Sequence, residues 1–320
     1  MTQRIRIYQQ GTPDVLNHET FELEPLSHGQ VLIRHEAIGV NFVDTMFRDG
    51  TFKVALPFAM GVEAAGIVEA IGDGVKHLKV GDRVAYFFAF GAYADRRVID
   101  ASALIKLPDD ISTDQAAGLL SKGLTAWALV KRVHAVQAGE TVVVHGASGG
   151  VGSLLVRWVK SLGATVTATV GSASKAATVQ GWGLDHVLRS DEPDLARRIK
   201  AKNGGFGVAV VYDLVGRDTL DASISALRDG GDLIHVGNAS GGVTADAALL
   251  AARGIRYVQP STPQYVNANN QDMAASELFE RFREGALGGV ELSRYRLEDA
   301  SLAHQAIATR KHMGSILLIP

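Results

Sequence analysis

The 320-residue chain contains no cysteine. Disulfides, thiolate nucleophiles and sulfur-ligated zinc are therefore excluded, whatever the fold. It has no excess of either charge: 32 Lys and Arg stand against 34 Asp and Glu, a formal net charge of −2. Nucleic-acid and anionic-lipid binders usually carry a basic footprint, and the acidic balance argues against both. From Met1 to Gln10 there is no apolar signal core. No stretch approaches the roughly 18–20 consecutive apolar residues that span a bilayer. The expected location is the cytoplasm, with no membrane partner. The ten histidines include no H-x-x-x-H pair, which removes a common metal-ligand spacing.

Hydrophobic residues make up 47% of the chain and charged residues 21%, the balance of an ordinary globular protein. The length exceeds what one core comfortably serves, so two domains are expected. From about Arg4 to Pro108 short apolar runs such as Val31–Ile33, Gly66–Val68 and Arg83–Tyr86 are separated by turn signals, including Gly72-Asp73 and Gly81-Asp82. This is the texture of an irregular β domain.

Beyond Ser121 the texture alternates. Strand-like runs at 141–144, 165–170, 186–188, 208–212, 232–236 and 255–259 are interleaved with helical spacings at 149–162, 172–182, 194–201 and 220–227. Such alternation predicts a parallel sheet with helices on both faces. After Pro260 one more helix is expected near 273–284, followed by a return to strand at 317–319. The fold class is thus α/β: a Rossmann-type doubly wound parallel sheet domain, residues 121–259, and a β-rich domain built from 1–120 and completed by 260–320. The cleft between two such domains is the expected active site.

The sharpest motif is Ala147-Ser148-Gly149-Gly150-Val151-Gly152, which follows the run Thr141–Val144 and opens a helix. It is the dinucleotide fingerprint with alanine at the first glycine position. Small residues let the backbone approach a pyrophosphate, and the helix N-terminus supplies free N–H groups and a positive dipole end. His145, at the end of the strand, reads as packed rather than catalytic. An NAD-binding unit carries an acid about 20 residues after the glycines, to hold the ribose 2′-hydroxyl. Here Val170 is followed by Gly171-Ser172-Ala173-Ser174-Lys175, and no carboxylate appears before Asp185. Hydroxyls and a lysine suit a 2′-phosphate, so NADPH is expected.

These features, with five further segments, resemble the zinc-independent medium-chain dehydrogenases/reductases of the NADPH:quinone oxidoreductase (zeta-crystallin-like) family. The resemblance runs from end to end. Gly39-Val40-Asn41-Phe42-Val43-Asp44 is similar to the family's nicotinamide loop. Gly61-Val62-Glu63-Ala64-Ala65-Gly66 is similar to the GHExxG segment of zinc-dependent relatives, with valine for the ligand histidine. Lys122 to Ala126 and Val236 to Gly241 match later segments, and Gly314 to Pro320 matches the C-terminus.

The resemblance implies a GroES-like fold for the β-rich domain. It places Asn41 and Thr125 at the nicotinamide, and Gly149, Gly150, Val151 and Gly152 at the pyrophosphate. It places Gly171, Ser172, Lys175, Ser190 and Arg310 around the 2′-phosphate, and Val215, Gly237 and Asn238 along the ribose and nicotinamide side. Asn41, Met46 and Phe52 become substrate-pocket candidates, and no residue is assigned as a general acid. Asp44 is expected to be structural, as a cap or a partner of Arg48. A homodimer through strand 254–259 is also implied. Three positions depart from the family pattern: Met46 and Ser190 replace tyrosines, and Gln259 replaces an arginine.

The expected activity is NADPH-dependent reduction of a quinone or other electrophilic acceptor. Two other readings share the same glycine loop: an NADPH-dependent reductase of α,β-unsaturated carbonyls or enoyl thioesters, and a non-catalytic NADPH-binding structural or RNA-binding protein.

Overall fold

The computed structural model describes residues 1–309 and 312–320. In chain order the elements are β1 (Thr2–Ile7), β2 (Asn17–Phe21), β3 (Gln30–Val40), α1 (Phe42–Asp49), β4 (Phe58–Ala59), β5 (Glu63–Ile71), β6 (Arg83–Tyr86), β7 (Arg96–Asp100), β8 (Ile105–Lys106) and α2 (Thr113–Ala128). They continue with β9 (Thr141–His145), α3 (Gly150–Ser161), β10 (Thr165–Val170), α4 (Ala173–Gln180), β11 (His186–Arg189), α5 (Leu195–Lys202), β12 (Val208–Asp213), α6 (Leu220–Ala226) and β13 (Leu227–His235). The last are α7 (Ala247–Ala252), β14 (Arg256–Val258), α8 (Gln271–Arg283), β15 (Leu292–Arg296), α9 (Ala300–Ala308) and β16 (Ser315–Ile319).

The chain divides into two compact units. One comprises Met1–Lys122, Ala268–Phe279 and Val290–Pro320; the other comprises Gly123–Asn267 and Glu280–Gly289. The first unit is β-rich. A three-stranded sheet runs β2-β1-β4, and a seven-stranded sheet runs β15-β16-β3-β5-β6-β8, with β7 also paired to β3. Its core joins Ile5, Val31, Ile33, Ile38, Val68 and Tyr93 to Ala300 and Ile307 of α9 and to Leu318 of β16. The C-terminal segment thus completes the β-rich core.

The second unit holds a six-stranded sheet in the order β11-β10-β9-β12-β13-β14. Every neighbouring pair is parallel. Strand β12 (Val208–Asp213) is buried along its whole length, and β9 and β10 are buried in all but their first residue. That is the signature of a sheet covered on both faces. Helix α3 buries Leu154, Leu155, Trp158 and Val159, the spacing of a single apolar helix face.

Two expectations need correction. Among the described residues the segment after Pro260 holds two α-helices, α8 and α9, rather than one. Helix α9 was hidden because its buried positions are Ala300, Ala303, His304 and Ile307, too small or too polar to register as an apolar stripe. Helix α1 likewise interrupts the N-terminal strand texture, and its buried face carries Asp44, Thr45 and Arg48 beside Phe47.

Candidate active site

In the parallel-sheet unit, the loops that leave the carboxyl ends of four adjacent strands bring most of the expected cofactor residues together. Gly149 is the N-cap of α3, with φ −78° and ψ 173°. Gly150, Val151 and Gly152 form the first turn of that helix, which has no acidic residue there. Two of these glycines differ in what surrounds them. A Cβ on Gly152 would lie 2.2 Å from the Gly146 carbonyl oxygen and 3.0 Å from Ala147 Cα, so helix and strand approach too closely for any side chain. A Cβ on Gly149 would meet only that same oxygen, at 3.4 Å, and one on Gly171 would meet nothing within 4 Å. The protein's own packing demands glycine at 152 but not at 149 or 171. Open space beside a helix N-terminus is where a pyrophosphate fits, so the residues present suit a dinucleotide.

The same turn satisfies the Gly-x-Ser-x-Gly spacing of a hydrolase nucleophile elbow. Such an elbow needs an exposed serine, and Ser148 is buried. His145, three residues before it, is buried too and engages the Thr169 hydroxyl through Nδ1 at 2.7 Å.

At the end of β10, Ser172 caps α4 by accepting the Lys175 N–H at 3.4 Å. Ser190 sits alongside; its N–H and its hydroxyl both donate to the Val170 carbonyl, at 2.9 and 3.3 Å. Gly171, Ser172, Lys175 and Ser190 therefore share one corner. The first acid after the glycines, Asp185, accepts the Val166 N–H at 2.9 Å. That is one residue from the start of β10, at the opposite end of the strand from Gly171. Arg310 lies outside the described residues.

After β12, the Asp213 carboxylate gathers the next loop. It accepts the Val215 and Gly216 N–H groups, both at 2.9 Å, and the Thr219 and Ser223 hydroxyls at 2.8 and 2.7 Å. Burial raises this carboxyl, but His145 and the surrounding donors outweigh it and hold it below the ordinary carboxylate value. The loop after β13 packs on the first: the Gly237 N–H donates to the Asp213 carbonyl at 3.2 Å, and the Ser240 N–H to the Val215 carbonyl at 2.8 Å. Asn238 lies in this second loop and accepts the Gly241 N–H at 2.9 Å.

His235 braces the second loop from below. A carbonyl only accepts, so Nε2–H donates to Gly237 O at 3.1 Å. Nδ1 is then the acceptor for the Tyr257 hydroxyl at 2.8 Å and for the Gln259 amide at 3.2 Å. Gln259 thus helps fix one tautomer of this histidine. Also in this unit, Thr125 of α2 hydrogen-bonds Thr262 through the two hydroxyls at 2.8 Å.

The β-rich unit holds the remaining candidates. Met46 lies on α1, and the Phe52 N–H donates to its carbonyl at 3.0 Å. Phe52 is exposed and stacks on Phe47, with centroids 5.5 Å apart. Phe47 in turn meets Phe90 edge-on at 5.1 Å and Phe58 at 5.9 Å. Met46 and Phe52 therefore border an aromatic group.

Asn41 follows β3 as the N-cap of α1 and is buried. Its backbone N–H donates to Asp44 Oδ2 at 2.8 Å, which closes the first turn of α1. Its side-chain Nδ2 donates to Glu63 Oε2 at 2.9 Å, and its Oδ1 accepts from Lys122 Nζ at 3.0 Å. Glu63 opens β5 directly opposite Gly39. A Cβ on Gly39 would fall 2.3 Å from Glu63 Oε2, so glycine is what leaves room for the carboxylate.

Asp44 is a cap, as expected, but its other partner is Tyr93, whose hydroxyl donates to Oδ2 at 3.1 Å. Arg48 turns elsewhere: it donates to Gly11 O at 3.0 Å and reaches His304 Nδ1 at 3.4 Å. Arginine only donates, so His304 carries its proton on Nε2, which lies 3.0 Å from the Tyr93 hydroxyl oxygen. Burial pushes the Asp44 carboxyl up to about 7, against the Asn41 N–H and Tyr93 bonds that favour its charged form. Burial drives His304 down to about 3, with Arg48 adding to the fall.

Glu63, Lys122, Asp213 and His235 do not stand out as site residues in the sequence. A lone acid in the apolar run Val62-Glu63-Ala64-Ala65 was the available signal, because a buried acid needs a partner. The partner, Lys122, lies 59 positions away and only the fold reveals it.

Two families account for most of the chain: the alcohol dehydrogenase GroES-like domain matches residues 27–109, and zinc-binding dehydrogenase matches residues 150–276. Quinone oxidoreductase 1 of Escherichia coli (strain K12) is 39% identical over 327 residues, covering 100% of both chains. The chain belongs to the quinone oxidoreductase family. The crystal structure of the E. coli quinone oxidoreductase complexed with NADPH superposes with a TM-score of 0.96 at 38% identity, covering all of both chains. A 2-haloacrylate reductase from Burkholderia sp. is 36% identical, covering 98% of each chain. The architecture is accordingly the family's, a GroES-like domain with a Rossmann-type parallel sheet. Although one matching family is described as zinc-binding, this chain has no cysteine and carries buried Val62 in the segment that resembles the zinc-ligand motif.

Proposed function

We propose that the protein is an NADPH-dependent quinone oxidoreductase that works without a metal. The observation that carries this reading is identity of 36–39% with quinone oxidoreductases of three bacteria across the whole length of the chain. The open, glycine-lined corner at the carboxyl ends of β9 and β10 supports the cofactor half of it.

Gly149, Gly150, Val151 and Gly152 would hold the pyrophosphate through helix N–H groups. Gly171, Ser172, Lys175 and Ser190 would meet the 2′-phosphate, with Arg310 as a further candidate. Val215, Gly237 and Asn238 would line the ribose and nicotinamide side, with Thr125 and Asn41 at the nicotinamide itself. Met46 and Phe52 would border the acceptor. Bound there, NADPH supplies a hydride equivalent to the acceptor. The protein's part is to hold the two reactants in register and exclude water. Transfer to a quinone leaves an oxyanion stable enough to take its proton from solvent, so no residue is needed as a dedicated acid. A homodimer fits β14, which ends the sheet and pairs on one side only, an edge that a second copy can extend. Among the described residues no helix is long and apolar enough to cross a membrane, and a cytoplasmic site of action fits the sequence.

One observation favours a second reading. Met46 offers no hydroxyl where the resembled family has tyrosine, and a 36% identical relative is named for reduction of a haloacrylate, a conjugated alkene acid. A reductase of α,β-unsaturated carbonyls is the alternative.

The test is oxidation of NADPH and of NADH with 1,4-benzoquinone, a naphthoquinone and a simple enone. Rapid NADPH oxidation with quinones and little with NADH is expected. Turnover with the enone alone would select the alternative, and NADPH binding without any turnover would select a non-catalytic role. In the same assay Lys175→Glu is expected to raise the KM for NADPH by about tenfold or more, because it replaces a charge-assisted phosphate contact by repulsion. NADH kinetics should change little. An unchanged NADPH KM would remove Lys175 from the site.

A further inference from the structure

The most costly feature of the β-rich unit is a buried ion pair. Glu63 is fully buried and Lys122 nearly so, with Nζ 3.5 Å from Glu63 Oε2. Glu63 Oε1 also accepts the Ser121 N–H at 2.6 Å, so the carboxylate is held from both sides. An apolar pair of similar volume commonly serves stability as well as a buried ion pair does, or better. What this pair adds is direction, and the group between its two charges is the Asn41 amide. Ammonium only donates and carboxylate only accepts. With Oδ1 on Lys122 and Nδ2 on Glu63, a flip of the amide would set N–H against ammonium and C=O against carboxylate. One orientation is therefore enforced. Among the described residues it leaves Asn41 the second lone pair of Oδ1 and an Nδ2 hydrogen engaged only by the long 3.5 Å contact to Gly39 O. A carboxamide, such as that of nicotinamide, presents one acceptor and one donor to match.

We propose that Lys122 and Glu63 are positioning residues, which lock the Asn41 amide so that it orients the nicotinamide for hydride transfer. The inference rests on the reading that Asn41 meets the nicotinamide.

The decisive variant is the double substitution Lys122→Met with Glu63→Gln, which removes both charges and keeps the side-chain volumes. A glutamine at 63 can donate as well as accept, so the amide is free to invert. The expected result is a kcat lower by about tenfold or more, because misorientation at the reacting atoms is costly. NADPH affinity should stay within about threefold, since the phosphates supply most of the charge-assisted binding. The melting temperature should be unchanged, and the fluorescence of bound NADPH should move toward that of the free cofactor. Lys122→Arg, which keeps a donor-only partner, should retain more of the kcat than Lys122→Met.

A double variant with unmutated kcat and unmutated bound-cofactor fluorescence would overturn the inference. So would a joint fall of stability, affinity and kcat that Lys122→Arg does not relieve, because the pair would then be structural only. If the unmutated protein itself fails to bind NADPH, the proposed function is what fails, and the inference goes with it.

Discussion

Replacing Gly149 with valine is expected to weaken NADPH binding by about a hundredfold or more while the protein stays folded, whereas replacing Gly152 even with alanine is expected to destabilise the fold. The two glycines are three residues apart in one loop, and their surroundings set them apart. At Gly152 the three atoms nearest the added carbon are all backbone: Gly146 O at 2.2 Å, Gly146 C at 2.9 Å and Ala147 Cα at 3.0 Å. Backbone cannot rotate away as a side chain can, so strand β9 and helix α3 must separate. Such overpacking costs roughly 3 kcal/mol, the upper end of its usual range. At Gly149 the backbone is in an ordinary extended conformation, and the added carbon makes one normal contact. Valine is a poor N-cap, which costs about 1 kcal/mol and a few degrees of melting temperature.

The rest of the effect falls on whatever occupies the space outside the loop. If that is a pyrophosphate, affinity drops by about a hundredfold or more, equivalent to about 2.8 kcal/mol. Calorimetry of the free proteins and fluorescence titration with NADPH separate the two effects. A Gly149→Val protein that binds NADPH within threefold of the original would show that the dinucleotide does not pass this loop.

That contrast also marks what could be read from sequence. In the parallel-sheet unit the alternation of strand and helix is legible, because β9 and β12 are nearly continuous apolar, β-branched runs and α3 carries one apolar face; the polar start of β13 and the six-residue α7, too short to show a helical period, are not. Thr165–Val170 came out with the observed bounds. The fingerprint identified the loop but could not separate a glycine needed for packing from one that leaves space; that depends on where Gly146 O lies. The β-rich unit was legible only as texture. Its helices α1 and α9 bury polar side chains, Asp44 and Arg48 in one and His304 in the other, which hydropathy patterns assign to the surface. Those residues find partners across the fold: Tyr93 joins Asp44 to His304 over 49 and 211 positions. No local pattern encodes such pairings. For the same reason the cofactor residues, which cluster in loops directly after strands, were easier to nominate than Glu63 and Lys122.

The polar core of the β-rich unit gives stability an unusual pH dependence between about pH 4 and 7, in which two groups oppose a third. His304 and His35 are both buried, and burial lowers each from 6.5 to about 3. Between those values the unfolded chain binds a proton at each site and the folded chain does not. Stability therefore falls as the pH drops below 6.5, by about 1.4 kcal/mol per pH unit per histidine. Asp44 runs the other way. Its carboxyl titrates near 7 in the folded state, against 3.8 for an ordinary aspartate such as the unfolded chain presents, so over that range the folded chain holds the extra proton. Stability from Asp44 is present at low pH and is lost as the pH rises toward 7.

From these three groups the uptake on unfolding between pH 4.5 and 6 is two protons minus one, a contribution of about 1.4 kcal/mol per unit, and His145 in the other unit, also lowered by burial, adds to it in the same sense. Asp44→Asn keeps an acceptor for the Asn41 N–H and the Tyr93 hydroxyl but cannot titrate. It should steepen the slope by about 1.4 kcal/mol per unit and raise stability at pH 8, where the original must bury a charge. His304→Gln should flatten it by about 1.4 kcal/mol per unit. The buried carboxylates held low, such as Asp213, act below this window and leave the comparison clean. Urea unfolding of the three proteins at half-unit steps from pH 4.5 to 8 reads these slopes directly. Parallel curves would mean that Asp44 and His304 titrate in the folded protein as they do in the unfolded chain, and that the Asp44–Tyr93–His304 chain is not buried in solution as it is here.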